Sequence, residues 1–296
     1  MRQTQKISKE KVCRLLGFTR MGLYKKQGRE QQQIQEAKAI IELVKEIKKD
    51  QPRISVRKMQ VMLENDLNKK GIKIGRDALF DLLREFDLLV NTRRYKHYST
   101  DSNHSFKKYP NQIKDVVPTA PNRLWVSDIT YIEATNGFNY LSLVTDAYSR
   151  KIVGYYLSDS YSAKGTIEAL KMALKNNKVK AGLIHHSDRG IQYCCREYTS
   201  ILKKKKAIIS MTENGSPYEN AMAERVNGIL KTELLQSKYN HYNDAIKSVD
   251  KAIRIYNTQR PHLSIEMLTP EKAHKRQGLL KQLWKKKDKK DSKEAA

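Results

Sequence analysis

The chain has 296 residues and carries 58 Lys and Arg against 32 Asp and Glu, a formal net charge of +26. This length suits one sizeable core with smaller modules attached, and a charge so lopsided excludes an ordinary enzyme of small neutral substrates and points to a polyanion as partner. Three cysteines, Cys13, Cys194 and Cys195, exclude a disulfide framework and a zinc knuckle, and no run of about 18 apolar residues is present, so a cytoplasmic protein without a membrane span is expected.

Residues 8–26 read as two short helices around a tight turn. Ser8 caps the first, which carries Val12, Leu15 and Leu16, Gly17 closes it, and Thr19 caps the second. This helix-turn-helix-like segment is assigned to residues 1–30. Apolar residues at helical spacing then predict helices near 37–49, 56–68 and 76–88, a small all-α domain over 31–94 that suits DNA binding or a protein–protein bundle. Between 95 and 120 the pattern breaks into a basic linker with Pro110 and Pro118.

From Leu124 the character turns to β. One strand runs through Asp128, Asn136-Gly137 makes a hairpin turn into Tyr140–Val144, and a turn at Ser149-Arg150 starts Ile152–Leu157. A helix near 163–176, a strand over 183–186, a helix near 196–206, a strand over 207–211 and a long helix from about 217 follow. The order βββ-αβαβ-α predicts an α/β fold over 121–275, a mixed five-stranded sheet with helices on its faces. The lysine-rich stretch over 276–296 reads as a basic tail.

Three acids occupy positions where an unpaired carboxylate is costly. Asp128 interrupts an apolar strand. Asp188 follows the strand 183–186 at the carboxyl edge of the sheet, with Gly190 permitting a turn just after it. Glu224 lies in the helix whose start is marked by Ser216-Pro217-Tyr218-Glu219, a capping box that gives Glu219 a structural role and sets Glu224 two turns in. At about 100° per residue, Glu224, Gly228 and Lys231 share one face, and Ala223, Val226, Leu230 and Leu234 another, whereas Glu233 drifts to the apolar side without explanation. An all-oxygen set of this kind suits Mg²⁺ or Mn²⁺, with two ions about 4 Å apart for in-line phosphoryl transfer.

The segments Trp125-Val126-Ser127-Asp128-Ile129-Thr130, His185-His186-Ser187-Asp188-Arg189-Gly190 and Asn220–Glu233 together resemble the three catalytic blocks of the insertion-sequence-three family of bacterial transposases, which share the retroviral integrase core. Asp188 and Glu224 are separated by 35 residues, as the family's DDE signature requires, and Tyr256-Asn257-Thr258-Gln259-Arg260-Pro261-His262 with Thr269-Pro270 resembles its C-terminal block. The resemblance covers roughly residues 35–275. It implies a ribonuclease H-like core, Asp128, Asp188 and Glu224 as catalytic metal ligands, and Lys231 as a DNA contact. Asn227, Arg189, Arg260 and His262 are further DNA-contact candidates from the same blocks, and Gln192 and Tyr193 are candidates to bond to or stack on a displaced base. Ser55-Val56-Arg57-Lys58 and His262-Leu263-Ser264-Ile265-Glu266 depart from the family pattern without touching the acids.

The implied function is a transposase that cleaves mobile-element ends and joins the 3′-hydroxyl to target DNA. The rivals are a metal-dependent nuclease without joining activity and a domesticated DNA-binding regulator. A multimer on double-stranded DNA and a partner product from an upstream frame are also implied, at the nucleoid within the cytoplasm.

Overall fold

Both N-terminal caps form as the sequence dictates. In the computed structural model, which describes residues 8–17, 19–90, 104–114, 116–213, 219–281 and 283, the Lys11 amide donates to Ser8 Oγ at 3.4 Å and the Gly22 amide to Thr19 Oγ1 at 3.0 Å. They open helix α1 (Lys9–Leu15) and helix α2 (Arg20–Asp50). The second is a single helix of 31 residues, so the boundary expected at 30/31 falls inside it and the short helix-turn-helix is not a unit of its own. The physical reason is composition: from Arg29 to Lys49 nearly every residue is a good helix former, and Gly22 and Gly28 weaken the helix without breaking it. Leu15 and Leu16 remain exposed, and the helical core instead lies between the C-terminal half of α2, α3 (Val56–Lys69) and α4 (Arg76–Glu85), where Ile40, Val44, Met59, Leu63, Leu79 and Leu83 are buried together.

The sheet centres on β1 (Leu124–Ala134). β1 pairs antiparallel with β2 (Gly137–Asp146), which pairs antiparallel with β3 (Ile152–Ser158). On its other edge β1 pairs parallel with β4 (Ile184–Ser187), and β4 with β5 (Ile208–Met211), giving the order β3-β2-β1-β4-β5. A sixth, two-residue strand, β6 (Lys238–Tyr239), adds to the far end of β1 at Glu133 and Ala134, so the expected five-stranded sheet gains a short extension.

Helices α5 (Ala163–Asn176), α6 (Ile191–Cys194) and α7 (Arg196–Lys204) cover one face, over a core that includes Trp125, Val153, Leu170, Tyr198 and Leu202. The opposite face is covered by α8 (Ala221–Ile229), a π-helical turn (Leu230–Leu234) and α9 (Tyr242–Thr258), over Ile132, Leu141, Val226, Leu230, Val249 and Tyr256. α9 is not among the expected elements, although Ala245, Val249, Ala252 and Tyr256 repeat at helical spacing. A 3₁₀ turn (Leu263–Ile265) and α10 (Pro270–Ala273) follow, the latter capped by Thr269.

The helical region is tied to the catalytic side of the sheet. Arg53 donates to the Thr232 carbonyl at 3.2 Å, Lys58 pairs with Glu233 at 3.1 Å and Lys251 with Asp50 at 2.7 Å. Part of the expected linker is ordered along β5, where the Met211 amide donates to the Pro110 carbonyl and the Gln112 amide to Ser210 Oγ. Residues 95–103 of that linker and the lysine-rich residues 284–296 lie outside the described residues, whereas the start of the tail is anchored, Gly278 donating to the Thr119 carbonyl and Arg276 pairing with Glu266. Among the described residues no helix is long and apolar enough to cross a membrane, and the three cysteines are free.

Candidate active site

Parallel pairing brings the two aspartates side by side. Val126 of β1 is in register with His186 of β4, so two residues further along each chain come Asp128 and Asp188. Pairing between these strands ends at Val126 and His186, so both aspartates lie just past it, Asp188 beyond the carboxyl end of β4, where α/β sheets hold ligands. Asp188 is fixed by a tight turn in which its Oδ1 accepts the Gly190 amide at 3.0 Å.

Helix α8 crosses at the same point. It begins at Ala221 with Asn220 as its N-terminal flank, later than expected, and this places Glu224 in the first turn instead of two turns in. Ser216, Pro217 and Tyr218 of the expected capping box lie outside the described residues, while Glu219 accepts the Glu213 amide. Asn227, one turn beyond Glu224 on the same face, donates its Nδ2 to Asp128 Oδ2 at 2.7 Å.

The electrostatics report the same convergence. Burial, and then the neighbouring Asp188 charge, push the Asp128 carboxyl well above its ordinary range; the Ile129 amide and the Asn227 side chain oppose this, and Glu224 adds to it. Asp188 and Glu224 thus both lie within electrostatic reach of Asp128. Among the described residues no group of three His, Cys, Asp or Glu side chains stands ready to hold a metal ion, so in this structure the three acids are neighbours without forming a ligand set. The donors that the three acids offer are all carboxylate oxygens, a set that suits a hard divalent cation.

Behind the acids the two histidines pack into the sheet. His185 Nε2 is 2.8 Å from Ser127 Oγ and 2.9 Å from the Tyr198 hydroxyl, and His186 Nδ1 is 2.8 Å from Ser210 Oγ. Burial lowers His185 to about 3 and His186 to about 4, so both are neutral at physiological pH and serve as spacers between strands. Asn220 ties the start of α8 to β1 by donating to the Ser127 carbonyl at 3.1 Å.

Residues 118–217 match the family described as Integrase core domain, and residues 205–270 match a second family of the same description. A 31 kDa protein of the insertion element IS600 from Shigella sonnei is 38% identical over 219 residues, 72% of this chain and 80% of the relative. The transposase for IS904 of Lactococcus lactis is 32% identical over 218 residues, 73% of this chain and 86% of the relative, and transposase InsF for IS3A of Escherichia coli is 34% identical over 160 residues, 53% and 56% of the two chains. The chain belongs to the integrase-core family of insertion-sequence transposases. Its mixed sheet between two helical layers is the arrangement expected from the sequence.

Within this transposase the candidate DNA contacts have diverse placements. Gln192 and Tyr193 are buried, Gln192 donating to the Tyr161 carbonyl at 3.2 Å, so neither offers a face to a displaced base. Arg260 is only 1% exposed; it grips Glu233 through two bonds of 2.8 and 2.7 Å and meets the His262 ring, itself buried, at about 3.0 Å. These two residues build an internal bridge, and the expectation of direct DNA contact is corrected for them: both came from a shared sequence block, which carries no information on burial. Asn227 is likewise reassigned, from DNA to Asp128. Its spacing of three from Glu224 on a helix was the available signal. Gly228, which shares a helix face with Glu224, is buried with its carbonyl accepting from Thr232. Arg189 is half-buried, and its carbonyl meets His104 at 2.6 Å. Lys231 falls in the π turn, half-buried, with Glu133 as a charged neighbour.

Proposed function

We propose that this transposase cleaves DNA at the ends of its mobile element and joins the freed 3′-hydroxyl to a target phosphodiester, with Asp128, Asp188 and Glu224 as the groups that hold Mg²⁺ or Mn²⁺. The observation that carries the reading is the juxtaposition of Asp128 and Asp188 at the end of a parallel strand pair with Glu224 on the crossing helix. A pair of divalent cations bound there would supply the polarised attacking oxygen and the neutralised leaving oxygen that in-line displacement at phosphorus needs. In each step one P–O bond forms from water or a 3′-hydroxyl as the bond to the opposite oxygen breaks, and the departing 3′-oxygen takes up a proton.

The chain's own contribution is placement. Asn227 fixes the rotamer of Asp128, the Gly190 amide fixes Asp188, and Lys231 provides a cation for a nearby phosphate. The same reading includes multimerisation on DNA, since two element ends must be paired, and a partner from an upstream frame that adds recognition of those ends.

The test is strand joining from a pre-cut 3′-hydroxyl end in Mg²⁺. Asp128→Asn, Asp188→Asn and Glu224→Gln should each lower joining by about 10³-fold or more while DNA binding survives. Near-normal joining by any one of the three removes that residue from the ligand set, and hydrolysis without joining by the unmodified protein makes it a nuclease.

A further inference from the structure

β1 and β2 carry a second group of side chains that the acids do not use. Tyr131 and Tyr140 pair directly across the two strands, with ring centroids 5.4 Å apart. Tyr161, just ahead of α5, closes over both at 5.7 and 5.0 Å, its ring tilted from theirs by only 31° and 36°. Phe138 meets the edge of Tyr131 at 6.0 Å. The three tyrosines are half-buried and Phe138 is 39% exposed, so solvent reaches a surface of aromatic rings, in contrast to the enclosed Tyr193.

The location of this surface restricts its ligand. Tyr131 lies three residues beyond Asp128 on the same strand, about 10 Å along it. The Tyr161 phenol is within electrostatic reach of both Asp128 and Asp188. At the other end, Phe138 pairs in register with Glu133, whose charge neighbours Lys231. With an odd offset of three on β1, Tyr131 stands on the opposite face of the sheet from Asp128, so the aromatic surface lies around the strand from the acid cluster, reaching toward it through Tyr161 and ending beside Glu133, the charged neighbour of Lys231. A nucleobase has a flat π face that stacks on such rings whatever its identity, but only when it is out of the duplex.

We propose that Tyr131, Tyr140 and Tyr161, with Phe138 at the rim, form a stacking platform for unpaired bases of a DNA strand that passes the acid cluster. The platform rests on the strand-transfer reading above and adds to it a ligand class, the splayed end of a strand.

The full-length protein in metal-free buffer is titrated, at one salt concentration, with two duplexes of the same sequence, one blunt and one ending in a short unpaired 3′ stretch. The unmodified protein should favour the unpaired end by about fivefold or more. Tyr131→Leu and Tyr161→Leu should bring that ratio toward one, whereas Tyr131→Phe and Tyr161→Phe keep it, because the ring and not the hydroxyl carries stacking. A ratio near one in the unmodified protein, a ratio untouched by the leucine variants, or one lost equally in the phenylalanine variants overturns the platform. If the leucine variants fail to fold, 2-aminopurine in the unpaired stretch decides: quenching on binding to the unmodified protein supports stacking, and unchanged emission rejects it. Strand joining by the unmodified protein is scored separately, so failure of the catalytic reading and failure of the platform are distinguishable.

Discussion

The Asp128 carboxylate is opposed by burial and by two acids and favoured by the Ile129 and Asn227 amides. The Asn227 hydrogen bond satisfies only one of its oxygens, and Asp188 and Glu224 make its ionised form costly in the absence of a cation. Removing that charge should therefore help the metal-free fold even as it removes chemistry. Asp128→Asn is expected to raise the metal-free melting temperature, by roughly 2–4 °C if the gain is 1 kcal/mol, and to abolish most of the further rise on adding Mg²⁺. A metal-free Tm that falls, or an Mg²⁺ shift that persists in full, contradicts this account. Asn227→Ala acts in the opposite sense. It frees Asp128 Oδ2 and should weaken Mg²⁺ binding about 10- to 100-fold, measurable by titration calorimetry.

The helix that presents Glu224 does not stay α-helical, and the change of pitch gives Glu233 its role. A wheel drawn at constant pitch carries Glu233 toward the apolar side and leaves it unexplained; the π turn from Leu230 to Leu234 rotates this segment so that Glu233 meets Arg260 of the C-terminal block and Lys58 of α3. Burial pushes the Glu233 carboxyl up, but the Arg260 bonds and the two positive charges outweigh it and hold the group below 4.5. Glu233→Gln would leave a buried guanidinium unmatched and should cost about 3–5 kcal/mol, a loss of ~10 °C in Tm. Lys58→Met should cost much less, since Glu233 keeps Arg260 and burial already holds the Lys58 amine down at about 8. Because the folded pKa of Glu233 is depressed, its stabilisation is full above 4.5 and is lost as pH falls through the folded value. The Tm gap between the unmodified protein and Glu233→Gln should accordingly shrink only in acid, and a gap that is constant from pH 7 to pH 3 refutes the ion-pair origin.

At the scale of the whole molecule, legibility follows the range of the interactions. The strands and the hairpin between β1 and β2 were readable because alternation and turn chemistry are local. The burial of Arg260 and the aromatic group at Tyr131, Tyr140 and Tyr161 depend on which distant segments meet, and no window of sequence contains that.

The same distinction separates two contributions to DNA binding. A net charge of +26 acts over the Debye length through released counterions, so a footprint of 6–10 phosphates should lose about 10³–10⁵ in affinity between 50 and 200 mM salt. Stacking on the platform displaces no counterion and acts only at contact. As salt is raised, affinities for the blunt and the unpaired-end duplex should fall in parallel while their ratio holds within about twofold. Anisotropy titrations across that salt range measure both quantities at once. A ratio that decays with the affinities would mean that the preference for unpaired ends is electrostatic, drawn by exposed phosphates and not by the faces of Tyr131, Tyr140 and Tyr161.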